Sequence, residues 1–290
     1  MKNLKPAEAG FLTRHRTWIM CLSLLFFLPP LSLVFQLTAD SGFCGTWCPR
    51  MFYVWRQGSS AGAYFAGFVR SYMGVILVFG VLALTLFRGR YWCSHLCPVG
   101  GCMELVGRLV PSFLKIDFCP VPAPAFRYGY LCAYFLAAAL GIGSLCCSYC
   151  NFATIPRLFG AAFSEADLAY FLRTAGLVNL GLVVGLGFLA KGGRAYCNLI
   201  CPVGALDSLV NGIARPLGKR YSVSAEKCDG CGACKDRCPV WAIKIAEKAQ
   251  IDPFSCLPCG ACLTACPHGA IDYGEMKSNP ASTDELSKSC

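Results

Sequence analysis

Cysteine is the residue of this chain most able to do chemistry: there are 22 in 290 residues. Near the C-terminus, "CDGCGACKDRCP" and "CLPCGACLTACP" each read Cys-x2-Cys-x2-Cys-x3-Cys-Pro. A cubane cluster needs thiolates at four tetrahedral corners. In this spacing the close triplet supplies three of them, and the fourth cysteine of each run serves the other cluster. The pattern predicts two [4Fe-4S] clusters, one on Cys228, Cys231, Cys234 and Cys266, the other on Cys256, Cys259, Cys262 and Cys238. Gly230, Gly232 and Gly260 let backbone amides approach sulfur, and Pro239 and Pro267 turn the chain after the last ligand. Structural zinc favours Cys-x2-Cys pairs over a triplet plus one, so the chemistry expected is one-electron transfer.

The second pattern is Cys-x3-Cys-Pro, written at Cys44 and Cys48, at Cys93 and Cys97, and at Cys197 and Cys201, with "CCSYC" at Cys146–Cys150 as a broken form. A shift of 104 residues lays "RYWCSHLCPVGGCMELVGRLV" (Arg90–Val110) on "RAYCNLICPVGALDSLVNGIA" (Arg194–Ala214), which marks an internal duplication. Both copies have the same orientation, so a pseudo-twofold axis along the membrane normal is expected to bring equivalent pairs together. Cys93, Cys97, Cys197 and Cys201 then converge as a candidate inner site, favouring a metal or redox centre. Cys44 and Cys48 with Cys147 and Cys150 form a candidate outer site, for which disulfides and a metal centre stand equally open. One or two iron–sulfur or metal sites beyond the ferredoxin pair are therefore in question.

These cysteines need elements to position them, and hydropathy supplies those. The chain is 56% hydrophobic and only 14% charged, a membrane composition. Four apolar stretches suit a hydrocarbon core of roughly 30 Å: Trp18–Leu37, kinked at Pro29 and Pro30, Tyr64–Phe87, Phe126–Leu145 and Leu168–Ala190. The first is too long, and "LTAD" too poor a cleavage site, for a removed leader. Lys2, Lys5, Arg14 and Arg16, and then Arg88, Arg90, Arg108 and Lys115, hold the N-terminus and the middle loop inside. The expected fold is a mainly α membrane protein with four transmembrane helices as two tandem two-helix repeats, followed by a small α+β dicluster ferredoxin module. The divisions are an N-terminal arm (1–16), a four-span domain (17–214, repeats about 17–110 and 126–214), a linker (215–223), the ferredoxin domain (224–274) and a polar tail (275–290). The N-terminus and ferredoxin domain are expected in the cytoplasm, and the protein as a multi-pass component of the cell's inner membrane.

Arg70 and Arg173 correspond in the two copies. Snorkelling to the outer interface explains them as well as contact with a cluster or quinone head group. The histidines are His15, His95 and His268, too few for bis-His haem, and no Cys-x-x-Cys-His occurs. His95 reads as a polar interfacial residue, with a role in orienting or protonating something at the inner site as the alternative. Proton acceptors are confined to the span edges: Asp40, Glu165 and Asp167 outside, Glu104 and Asp117 inside. No phosphate loop, dinucleotide motif or nucleophilic triad is present, and the net charge of +10 fits topology and acidic partners or lipid, with no nucleic acid.

"RYWCSHLCP", "RAYCNLICPVGAL" and the two ferredoxin runs together resemble the NapH/NosR/MauN-type membrane polyferredoxins, over about Tyr64 to Tyr273. The resemblance implies a quinol-dehydrogenase-type subunit passing electrons between the quinone pool or a cytoplasmic donor and a periplasmic redox partner, a cytochrome c or an iron–sulfur protein. The outer cysteines depart from the NapH pattern. They leave an alternative, an assembly factor that reduces metal or thiols for a partner metalloenzyme, with Cys44 and Cys48 as its active end.

Overall fold

The computed structural model describes residues 14–28, 72–140, 149–214 and 217–275. Helix α1 (Arg16–Phe27) contains no glycine or proline. It stops at Leu28, whose extended backbone (φ −91°, ψ 152°) is the conformation preferred before a proline. Helix α2 (Tyr72–Arg88) ends on Gly89, whose φ of +73° caps it in the left-handed region.

The chain then makes one wide turn, Trp92–Leu96, closed by the Cys97 amide donating to the Trp92 carbonyl at 2.9 Å. Cys97 is extended and precedes α3 (Pro98–Leu109), where Pro98 takes a first-turn position whose N–H would have had no helical partner. The second copy repeats this: the Cys201 amide donates to the Tyr196 carbonyl at 3.1 Å, and Pro202 opens the next helix. Cys-x3-Cys-Pro therefore encodes a wide turn with a helix start behind it, and the second sulfur sits at the helix N-terminus, where the dipole favours a thiolate.

Helices α4 (Ala123–Ala139), α5 (Asn151–Gly160), α6 (Glu165–Phe171) and α7 (Thr174–Val183) follow, then α8 (Ala195–Leu199) and α9 (Pro202–Ile213). Within the copies, α1 packs on α3, and α4 packs on α8 and α9. Between them, α9 packs on α2, and α3 packs on the turn Val184–Phe188 that extends α7. Gly187 makes the last contact close, since an added Cβ would stand 2.7 Å from Met103 Cγ.

The expected fourth span is corrected. Residues 168–190 are not one helix, because α6 and the α7 segment are bent by 83° at Leu172–Arg173. There Arg173 is extended (φ −90°, ψ 150°) and starts the second helix. Among the described residues no single helix is long and apolar enough to cross a membrane, and the bent pair has that length and composition only in combination.

The expected linker 215–223 is corrected too. Strand β1 (Lys219–Val223) pairs antiparallel with β4 (Ile271–Glu275), from Lys219 opposite Glu275 to Val223 opposite Ile271. It thus belongs to the C-terminal module. Strands β2 (Ile243–Ile245) and β3 (Ala249–Ile251) form a second antiparallel pair. Two short helices, α10 (Ala233–Asp236) and α11 (Ala261–Ala265), each follow a left-handed glycine, Gly232 at φ 80° and Gly260 at φ 76°. Tyr221, Ile243, Ala249 and Ile271 close the core against Cys234 and Cys262.

This module is docked on the repeats by a built interface. The Phe254 ring lies over Gly212, where an added Cβ would be 2.0 Å from a ring carbon. Asn211 donates to the Pro253 carbonyl, Arg127 to the Phe254 carbonyl at 2.8 Å, and Asn198 to the Val240 carbonyl at 3.3 Å. Gly212→Ala should push this loop away at a cost of about 1–3 kcal/mol. Faster amide exchange over residues 253–257 with unchanged exchange in β1 and β4 is the expected result; unchanged exchange at the loop would contradict the contact.

Candidate metal centres

Cys228, Cys231, Cys234 and Cys266 line one cavity of the module. Gly230, at φ 77°, lets the loop pass close to the Glu247 carbonyl, 2.6 Å from where a Cβ would stand. The Ala249 amide donates to Cys228 Sγ at 3.4 Å and the Ala270 amide to Cys266 Sγ at 3.3 Å, the kind of bond that stabilises sulfur bearing negative charge. Cys231 is exposed, with the exposed pair His268 and Asp229 (2.8 Å) beside it.

Cys238, Cys256, Cys259 and Cys262 gather in a second set, each thiol feeling its neighbours. Burial first, and then Cys259, push Cys238 up to about 11. Bound metal reverses that penalty by neutralising the thiolates. Cys238 and Cys256 pack against buried Cys93, Val240, Ala242 and Leu257.

Cys93, Cys97, Cys197 and Cys201 line a single cavity with Trp92, Val78, Val81 and Phe152, and all four are free thiols. Burial first, and then Cys197, push Cys97 up to about 12. Gly100 and Gly204 leave room: a Cβ on Gly100 would be 3.3 Å from Cys197 Sγ, and one on Gly204 would be 3.4 Å from Cys201 Cβ. The Gly204 amide donates to Cys201 Sγ at 3.4 Å.

The surroundings test whether a cluster fits. Each copy places its arginine on the other copy's acid: Arg194 Nε donates to Glu104 at 2.8 Å, and Arg90 Nε faces Asp207 at 3.5 Å. A second pair of arginines follows the same axis. Arg16 Nε donates to the Ser94 carbonyl at 3.0 Å and Arg127 Nε to the Asn198 carbonyl at 2.9 Å, acceptors 104 residues apart. The outer nitrogens of Arg16 hold Glu104, at 2.7 and 2.5 Å, while Arg127 holds Ser208, again 104 residues on.

Among the described residues there are five buried arginines, at 16, 90, 127, 194 and 220, and two buried carboxylates, Glu104 and Asp207. Buried positive surplus is unfavourable without an anionic partner. A [4Fe-4S]2+ core on four thiolates carries a net charge of about −2, so a cavity lined by four thiols and apolar side chains, with the arginines in the layer behind, fits that group.

Several sequence expectations change. His95 is wholly buried, stacked on Tyr91 at 4.0 Å, with Nδ1 against Ser94 Oγ. Burial, then Arg16 and Arg194, pull it down to about 3, so it is neutral and far from an interfacial residue. Glu104 is no proton acceptor: although burial alone would raise it, Arg194 and Arg16 hold it well below the ordinary carboxylate range. Asp117 pairs with Lys191 at 3.3 Å in solvent. Arg173 is exposed at the bend.

Arg70, Cys44, Cys48 and Cys147 lie outside the described residues. Cys150 is buried in a core that also holds Phe152, Tyr196 and Ile155, and against which Cys97 and Cys201 pack. Cys150 was expected a membrane's thickness from the inner site, yet Phe152, two residues on, lines the four-thiol cavity. Sequence reading missed Asp207 and the pairing of Arg16 with Arg127. The available signal was an arginine opening both "RYWC" and "RAYC" and an acid on each following helix.

Comparison with known proteins agrees with this chemistry. Residues 71–117 and 172–220, the two copies, match the family described as a 4Fe-4S binding domain, and residues 227–270 match the 4Fe-4S dicluster domain family. A protein of Methanocaldococcus jannaschii whose name assigns no function is 28% identical over 58% of this chain and 58% of its own. YccM of Escherichia coli, named provisionally for electron transport, is 27% identical over 57% of this chain and 45% of its own. The chain thus spans about half the length of these two relatives. The methylamine utilization ferredoxin-type protein MauN of Paracoccus denitrificans is 28% identical over 80% of this chain and 79% of its own. With paired copies that match a 4Fe-4S binding-domain family ahead of a region that matches a 4Fe-4S dicluster family, the chain resembles the polyferredoxin-type iron–sulfur proteins.

Proposed function

We propose that this protein is a membrane-bound electron-transfer subunit linking the quinone pool or a cytoplasmic donor to a redox partner across the inner membrane. The observation that carries the reading is continuity. Cys93 of the four-thiol site packs in one buried group with Cys238 and Cys256 of the ferredoxin module, so the three cysteine sets form an unbroken series. Clusters, when bound, supply reversible one-electron storage. The chain fixes their order: Cys231 leaves one end of the series open to a partner, while Cys93 and Cys197 bury the other end among the helices. Val78, Val81 and Phe152 keep water from the thiols, and the arginines hold counter-charge in place before any electron arrives.

Membrane residence rests on the four apolar stretches and on exposed apolar faces: Trp18, Leu22 and Leu25 on α1, Ile76 and Phe79 on α2, and Phe126, Phe135 and Leu136 on α4. On this reading the arm, the four-thiol site and the ferredoxin module (224–274) face the cytoplasm, and the four-span domain covers 17–214, its fourth span bent. The partner on the far side is a cytochrome c or an iron–sulfur protein.

Proteoliposomes test it. The dithionite-reduced protein should be reoxidised by a ubiquinone or menaquinone analogue, and protease should reach the ferredoxin module only in inside-out vesicles. Extraction from membranes by alkaline carbonate, or reduced centres indifferent to quinone and to periplasmic extract alike, would refute the assignment.

A further inference from the structure

The pseudo-twofold symmetry breaks at Arg90, as it does at Arg127, which also reaches Phe254 and Ser255. Arg194 spends its guanidinium within the repeats, on Glu104, on the Cys93 carbonyl at 2.6 Å and on Met20 Sδ at 3.4 Å. Its counterpart Arg90, also wholly buried, reaches out of them. Arg90 Nη2 donates to the Gly204 carbonyl at 3.1 Å, and Nη1 reaches the carbonyls of Ser255 at 3.3 Å and Phe254 at 3.4 Å. Gly204 is the residue whose amide holds Cys201 Sγ, and Ser255 is bonded to Cys256. One fixed cation thus stands between a ligand of the four-thiol site and a ligand of the second ferredoxin site, where Cys93 packs with Cys238 and Cys256.

The geometry points to Arg90 as a positioning residue shared by these two centres, one that raises both reduction potentials together and so keeps the step between them level. The inference rests on the reading of the four-thiol site as a cluster site. A nearby positive charge favours the more negative, reduced state, and the effect falls with distance. Transfer between the centres moves one electron, with no bond made or broken. A cation beside one centre alone, as Arg194 is, shifts only that centre, whereas Arg90 adds nothing to the difference between the two. The exposed site of Cys228, Cys231, Cys234 and Cys266 lies at the far end of the module and escapes the effect.

The test is an anaerobic redox titration of the holoprotein followed by electron paramagnetic resonance, with Cys93→Ser, Cys259→Ser and Cys231→Ser assigning the signals. Arg90→Gln should lower the midpoints of the four-thiol and second ferredoxin centres and leave the third in place. Arg194→Gln should lower the four-thiol centre alone. Arg90→Lys keeps a charge beside Asp207, so it folds even where the glutamine variant fails. Its shorter reach leaves Phe254 and Ser255, and the second ferredoxin centre alone should drop. A shift confined to the four-thiol centre in Arg90→Gln, or no drop in Arg90→Lys, would overturn the shared role. Fewer than three reducible centres in the parent would overturn the cluster reading itself, and this proposal with it.

Discussion

Protein purified under strict anaerobiosis is expected to carry about twelve iron atoms and as many acid-labile sulfides per chain, four for each cysteine set. The ferredoxin module alone accounts for about eight. The remaining four depend on Cys93, Cys97, Cys197 and Cys201, so Cys93→Ser or Cys197→Ser should remove about four irons and leave the module's signals intact. Cys259→Ser should remove a different four. The effect should be large because among the described residues no fifth cysteine lines the cavity: its four sulfurs come two from each copy, and Cys102 of α3 and Cys150 pack in the adjoining apolar core. A parent near eight irons, unchanged by Cys93→Ser, would mean that the cationic surround serves some other anion. Chelation of iron should expose the same dependence, since four buried thiols and a surplus of arginines are left facing each other without a neutralising partner.

The second large effect lies at Glu104. Its carboxylate receives both outer nitrogens of Arg16, Nε of Arg194 and Nη2 of Arg108, the last at 2.7 Å. Glu104→Ala strands Arg16 and Arg194 in the interior, and loss of one partner of a buried pair costs about 3–5 kcal/mol. Glu104→Gln keeps acceptor and shape but loses the charge, and should fall between. Arg108→Ala is the contrast, because that side chain is 48% exposed and exposed pairs contribute at most about 1 kcal/mol. The loss should be read as a lower unfolding midpoint in detergent, with parallel release of the four-thiol iron. Equal losses in Glu104→Ala and Arg108→Ala would remove Glu104 from its central place.

The same carboxylate sets a pH limit. Its folded value is depressed below the unfolded one, so its stabilisation is fully present above about pH 4.3, the ordinary glutamate value, and is lost as pH falls further through the folded value. Glu104→Gln should flatten that acid limb.

The ferredoxin sites were legible in the sequence because their information is local. Three ligands and the glycines that let them approach sit within seven residues of Cys228 or Cys256, and the fourth is given by the repeat. The four-thiol site was legible through the duplication alone, since only the shift of 104 residues pairs Cys93 with Cys197. What surrounds it was hidden. Arg16 and Glu104 are 88 residues apart, Arg127 and Ser255 are 128 apart, and no period in the chain joins them. The bend at Arg173 was invisible because hydropathy averages over a window and is blind to direction. Strand β1, "KRYSV", is short and polar at one end, and its only warrant is β4, fifty residues later.

The exchange of arginines across the axis bears on how such a chain could arise. In either half alone, Arg90 would lack Asp207, Glu104 would lack Arg194, and two sulfurs would be missing from the cavity. The smallest self-sufficient unit is two copies, whether fused or separate. An ancestor with a single copy would therefore have had to function as a homodimer, and co-expressed halves of the present chain, cut between the copies within residues 111–122, should reassemble where neither half persists alone.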